Sequence, residues 1–150
     1  MIRAYESKDL PTMTAIWNEV VEEGIAFPQE VALTEMMNRG KSVPGGACGF
    51  WGACGAGISS GMFVSIVSKS TPLAVEPFAL SHKMTAKSLG AIGEIGGPRC
   101  CKRDSYLSIL SAIDFAKEHF GVEMEKPEIV CAHSAQNNQC IGKRCPLQRL

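Results

Sequence analysis

A mainly α-helical protein is what this sequence predicts: a small helical domain with Gly/Cys-rich loops and a short N-terminal β-α appendage. Three observations predict it. Apolar residues recur at helical spacing in successive stretches, most of those stretches end at Gly or Pro, and only two short runs read as strands. The chain has 150 residues, of which 45% are hydrophobic and 20% charged, enough to bury the core of one ordinary domain. Fifteen basic residues balance fifteen acidic ones. A net charge of zero argues against electrostatic capture of nucleic acid or of an anionic membrane.

Ile2 to Tyr5 reads as a short strand. Asp9 can cap a helix from Leu10 to about Glu23, with Pro11 in its first turn and Gly24 at its end. Leu10, Met13, Ile16, Trp17 and Val20 form its apolar face. This segment, IRAYESKDLPTMTAIWNEVVEEGIAFPQE, resembles the opening strand and helix of the GNAT acetyltransferases over residues 1–30. That resemblance implies an acetyltransferase relative. The Gln/Arg-x-x-Gly-x-Gly/Ala turn on which that family binds acetyl-CoA pyrophosphate does not follow residue 32, nor do the strands that precede it. The resemblance therefore transfers no activity.

A second unit, residues 33–150, is expected after residue 32. A short helix spans Leu33 to Asn38 and is stopped by Gly40. Pro44 to Ser68 carries no charge and seven glycines, and leads into a buried apolar helix ending near Ser68. Its glycines and serines argue against a membrane span. Gly57 and Gly61 share one helical face, where a second helix can approach closely. The next helix runs from Pro77 to Ile95, with Phe78, His82, Ala86, Leu89 and Ile92 as its expected buried face and His82 as a core histidine. Gly96-Gly97-Pro98 stops it and starts another, which runs to Phe120 with Tyr106, Leu110, Ile113, Ala116 and Phe120 in register. Glu128 to Cys131 reads as a strand-like run before a polar loop from Ser134 to Cys145. Phe50 and Trp51 are expected in the core.

PGGACGFWGACGAGISSG, GEIGGPRCCKRDSYLSILSAI and NNQCIGKRCP resemble the signature blocks of an uncharacterised cysteine-rich family of bacteria and archaea, a domain of unknown function. The match covers residues 33–148. Members stand alone or beside methyltransferase-like proteins, which implies a methyltransferase-like or redox partner protein and supplies no reaction.

The chain has seven cysteines, so they cannot all pair internally. The charged N-terminus lacks the apolar run of a signal peptide. Together these predict a cytoplasmic chain with reduced thiols, where clustered cysteines serve metal or redox chemistry. Six lie at three structural boundaries: Cys48 and Cys54, Cys100 and Cys101, Cys140 and Cys145. Cys131 ends an apolar run and is expected to be a core thiol. A helix start and nearby cations favour thiolate, and Arg99, Lys102, Arg103, Lys143 and Arg144 are the candidate cations. No Cys-x-x-Cys turn of the usual zinc type exists, so an iron–sulfur cluster ranks ahead of zinc as the expected cofactor. His133, two residues past Cys131, is a further candidate ligand. The competing expectation is metal-free thiol redox chemistry at Cys100 and Cys101.

Overall fold

The computed structural model describes residues 28–148. The expected strand at Ile2 to Tyr5, the Asp9-capped helix and the GNAT-like segment lie outside them, apart from the segment's last residues. The described chain is helical: α1 (Pro28–Gly40), α2 (Ala47–Phe50), α3 (Gly55–Val67), α4 (Glu76–Ile95) and α5 (Cys101–Phe120), then 3-10 turns at Ser134–Gln136 and Gly142–Arg144. No strand occurs among the described residues, so the strand expected at Glu128 to Cys131 is not formed. Cys131 N–H instead donates one hydrogen bond, 2.6 Å, to the Leu147 carbonyl, and a single rung does not make a sheet.

α1 takes in Pro28 to Ala32 as well as the helix expected from Leu33. It packs on α3, and Arg39 pairs with Glu35 one turn earlier at 2.7 Å. The uncharged stretch divides into α2, a Gly-rich turn and α3. Phe50 and Trp51 are 89% and 68% exposed, which corrects their expected place in the core. α2 is one turn long, and only Ala47 of it is buried.

The core lies where α3, α4 and α5 meet, on Val64, Met84 and Phe115 with Leu80 and Ala112 against them. Gly57 and Gly61 do serve close packing. A Cβ at Gly57 would lie 2.6 Å from Leu89 Cδ2, and one at Gly61 would lie 2.8 Å from the Ser81 carbonyl and closer still to the Thr85 hydroxyl. This approach decides which face of α4 is buried. Ser81, Met84 and Ser88 are inside, while Phe78, His82 and Ala86 are exposed and Leu89 is half-buried. Small side chains win the interface because only they fit against a glycine-lined helix at that distance. Their hydroxyls are satisfied locally: Ser81 Oγ donates to the Phe78 carbonyl at 2.9 Å, and Ser60 and Ser88 share a 2.8 Å bond. His82 is thus not a core histidine. Its Nδ1 lies 2.8 Å from the Phe78 carbonyl, and its ring stacks on Phe78.

α5 shows the same rotation. Asp104, Ser108, Ser111 and Phe115 are buried, whereas Tyr106 and Phe120 of the expected face are exposed. Gly96 (φ 73°) and Gly121 (φ 65°) end α4 and α5 as expected, both at φ values that favour glycine. No helix among the described residues is long and apolar enough to cross a membrane.

Candidate functional site

α3 and α5 start side by side. Cys54 is the N-cap of α3 and Cys100 that of α5, and neither start has a side-chain cap. Cys54 Sγ lies 3.9 Å from Asp104 Oδ2, which joins the two starts. Arg103 and Asp104 form a buried ion pair at 3.3 Å, both side chains at most 5% exposed. The Arg103 guanidinium also donates to the Gly96 carbonyl at 2.8 Å and the Pro98 carbonyl at 3.1 Å. It clasps the turn between α4 and α5, so its charge is matched by Asp104 rather than free to offset a cluster of thiolates.

Below that turn lies a cavity of about 540 Å³. Cys100, Cys101, Cys131, Cys140, Cys145 and His133 line it. The Cys100–Cys101 pair and the Cys140–Cys145 pair therefore face one space. Cys131, expected in the core, faces it too, with its N–H bonded to the Leu147 carbonyl within the same C-terminal segment. The spacing Cys131-x-His133 was the one sequence signal for that role. Two of these sulfurs accept backbone N–H groups two residues ahead: Cys131 from His133, and Cys140 from Gly142, each at 3.4 Å. Such donors stabilise negative charge on sulfur. The His133 ring lies 3.3 Å from Gln136 Oε1. Arg99 and Lys102 line the same cavity, whereas Lys143 and Arg144 are exposed and line neither it nor its neighbour. All seven cysteines are free thiols. Among the described residues, no three His, Cys, Asp or Glu side chains close on one point as a metal requires in this conformation.

Cys48 and Cys54 belong elsewhere. They line a larger cavity, about 1180 Å³, bounded by α1, α3, α5 and residues 122–124. Arg99 and Cys101 line both cavities and form their common wall. The larger one is not foreseen from the sequence. Its apolar lining was legible only as residues for an ordinary core.

The chain belongs to a family of unknown function, DUF5714, whose profile matches residues 12–148. No curated protein matches the chain. No solved structure matches it either.

Proposed function

Membership of a family with no assigned activity leaves the site itself to carry the reading, and we propose that the cysteine cavity is a thiolate site for a thiophilic metal, an iron–sulfur cluster ahead of zinc. In this reading the protein is an accessory to a methyl- or electron-transfer enzyme. One observation carries it. Five cysteines line a single cavity at the start of α5, and two of them already receive backbone N–H donors at sulfur. That arrangement suits anionic thiolates, the form that binds metal.

The donor chemistry fits a thiophilic metal, but the spacing in this conformation does not. Capture requires the segment from Cys131 to Cys145 to draw in toward Cys100 and Cys101. Metal binding and ordering of that segment are then one process, as in small metal-organised domains. Cys131 and Cys140 would be ligands, with Cys100 or Cys101 and Cys145 completing the set. Arg99 and Lys102 would offset the negative charge.

The test is anaerobic reconstitution with iron and sulfide, followed by metal analysis and visible absorption. The wild-type chain should take up iron and sulfide in fixed ratio. Cys131→Ser and Cys140→Ser should lose that uptake, and Cys48→Ser should keep it. Equal uptake by all of these variants would refute the assignment. A second reading, dithiol exchange at Cys100 and Cys101, draws on the exposure of Cys101. It predicts a gain of two thiols on mild reduction, with no metal present.

A further inference from the structure

From the larger cavity, we infer a binding site for a small amphiphile with an apolar body and an anionic head. This goes beyond the cysteine reading and shares with it only Arg99 and Cys101, on the wall between the two cavities. The cavity is polar at one end and apolar at the other, and two helices run that gradient in the same direction. α3 contributes Ser59 and Ser60 near its start, then Phe63, Val64 and Val67. α5 contributes Cys101, Ser105 and Ser108 near its start, then Ala112, Phe115 and Phe120. Both helices begin at the polar end, joined by the Cys54–Asp104 contact, so the positive ends of two helix dipoles lie there. Among the described residues, Arg99 is the only charged side chain that lines the cavity. Asp104, the acid nearest that end, is neutralised by Arg103.

A second observation points to a ligand. Ser108 is 3% exposed and lines the cavity, and its hydroxyl oxygen has no hydrogen-bond partner. An unpartnered buried hydroxyl is costly unless something supplies the bond. The other serines described in the α3–α4 interface all have partners. A carboxylate head set between Arg99 and Ser108 would accept from both. The apolar body would lie along Phe63, Val67 and Phe120. At about 1180 Å³ the cavity is somewhat larger than the usual small-molecule range of roughly 300–1,000 Å³.

The experiment is calorimetric titration of the full, metal-free chain with three probes below their micelle concentrations: dodecanoate, dodecanol and dodecyltrimethylammonium. Dodecanoate should bind one to one, at least about tenfold more tightly than dodecanol, with the cation showing no binding. Arg99→Gln should bring dodecanoate down to the affinity of dodecanol. Ser108→Ala should weaken dodecanoate about five- to tenfold while leaving the thermal midpoint unchanged or higher, since the free protein gives that hydroxyl no partner. Equal affinity for dodecanoate and dodecanol would overturn the anionic head. Unchanged binding by Ser108→Ala, or a clear fall in its thermal midpoint, would overturn the role of that hydroxyl. Failure of all three probes would overturn the site. Chelator in every titration separates these outcomes from any result on metal.

Discussion

The α3–α5 layer and the segment after Gly121 are held by different means. The helices interlock through Gly57, Gly61, Ser81 and Ser88, with Val64, Met84 and Phe115 sealed between them. From Val122 to Gln148 the chain has only two single-turn 3-10 helices. Surface ion pairs tie its start to α5, Lys126 to Asp114 at 2.8 Å and Lys117 to Glu123 at 2.7 Å, and Cys131 bonds to Leu147 within the segment. Exposed pairs of this kind contribute little. The contrast teaches where bound groups matter. The α3–α4 interface is closed by its own contacts, whereas the space between α3 and α5 and the cysteine segment both have room for what they bind.

Breaking the clasp at the turn between α4 and α5, inside the helical layer, should have the largest effect. Arg103→Ala leaves Asp104 buried without its cation and frees the Gly96 and Pro98 carbonyls, at a cost of about 3–5 kcal/mol in urea unfolding. Replacing both members, Arg103→Met with Asp104→Leu, should recover most of that loss. A single variant as stable as wild type would show that the pair is not what holds the turn.

Next in size is the interlock itself. Gly61→Ala should cost about 1–3 kcal/mol, because its Cβ meets the backbone of α4 as well as a side chain. Gly57→Ala should cost less, since Leu89 can rotate away. Gly90 and Gly93, with nothing within 4 Å of an added Cβ, provide the control. Gly90→Ala should stabilise by about 0.5–1 kcal/mol, the ordinary helical preference for alanine.

The smallest effect concerns pH. The Lys87 ammonium, 3.1 Å from Glu118, holds that carboxyl below the ordinary glutamate range, with the charges of His119 and Lys83 adding to it. The folded carboxyl titrates lower than the unfolded one. Its stabilising contribution is therefore present above the unfolded value and lost as pH falls through the folded one. Lys87→Met should remove that acid-side slope and change little at neutral pH. An unchanged slope in acid titrations of stability would show that the pair has no weight.

By itself the sequence determined the fold class, the ends of α4 and α5, and the close approach at Gly57 and Gly61. These are local properties: Gly96 and Gly121 take backbone angles that other residues resist, and a helix with two bare spots invites a neighbour. Tertiary structure alone decided which faces are inside. Periodicity counts Ser81, Ser88 and Ser108 as polar and so turns α4 and α5 the wrong way. In the fold, distance between helices outweighs hydropathy: Ser81 is buried bonded to the Phe78 carbonyl and Ser88 bonded to Ser60, while Ser108 is buried with its hydroxyl unpartnered. Tertiary structure also placed Cys131 at the cysteine cavity instead of the core. It parted Cys48 and Cys54 from Cys100, Cys140 and Cys145, because the start of α3 faces the larger cavity, and left Cys101 on the wall between the two. Spacing along the chain records which residues can share a turn. Which turns share a cavity depends on how the helices pack, and here glycine and serine set that packing.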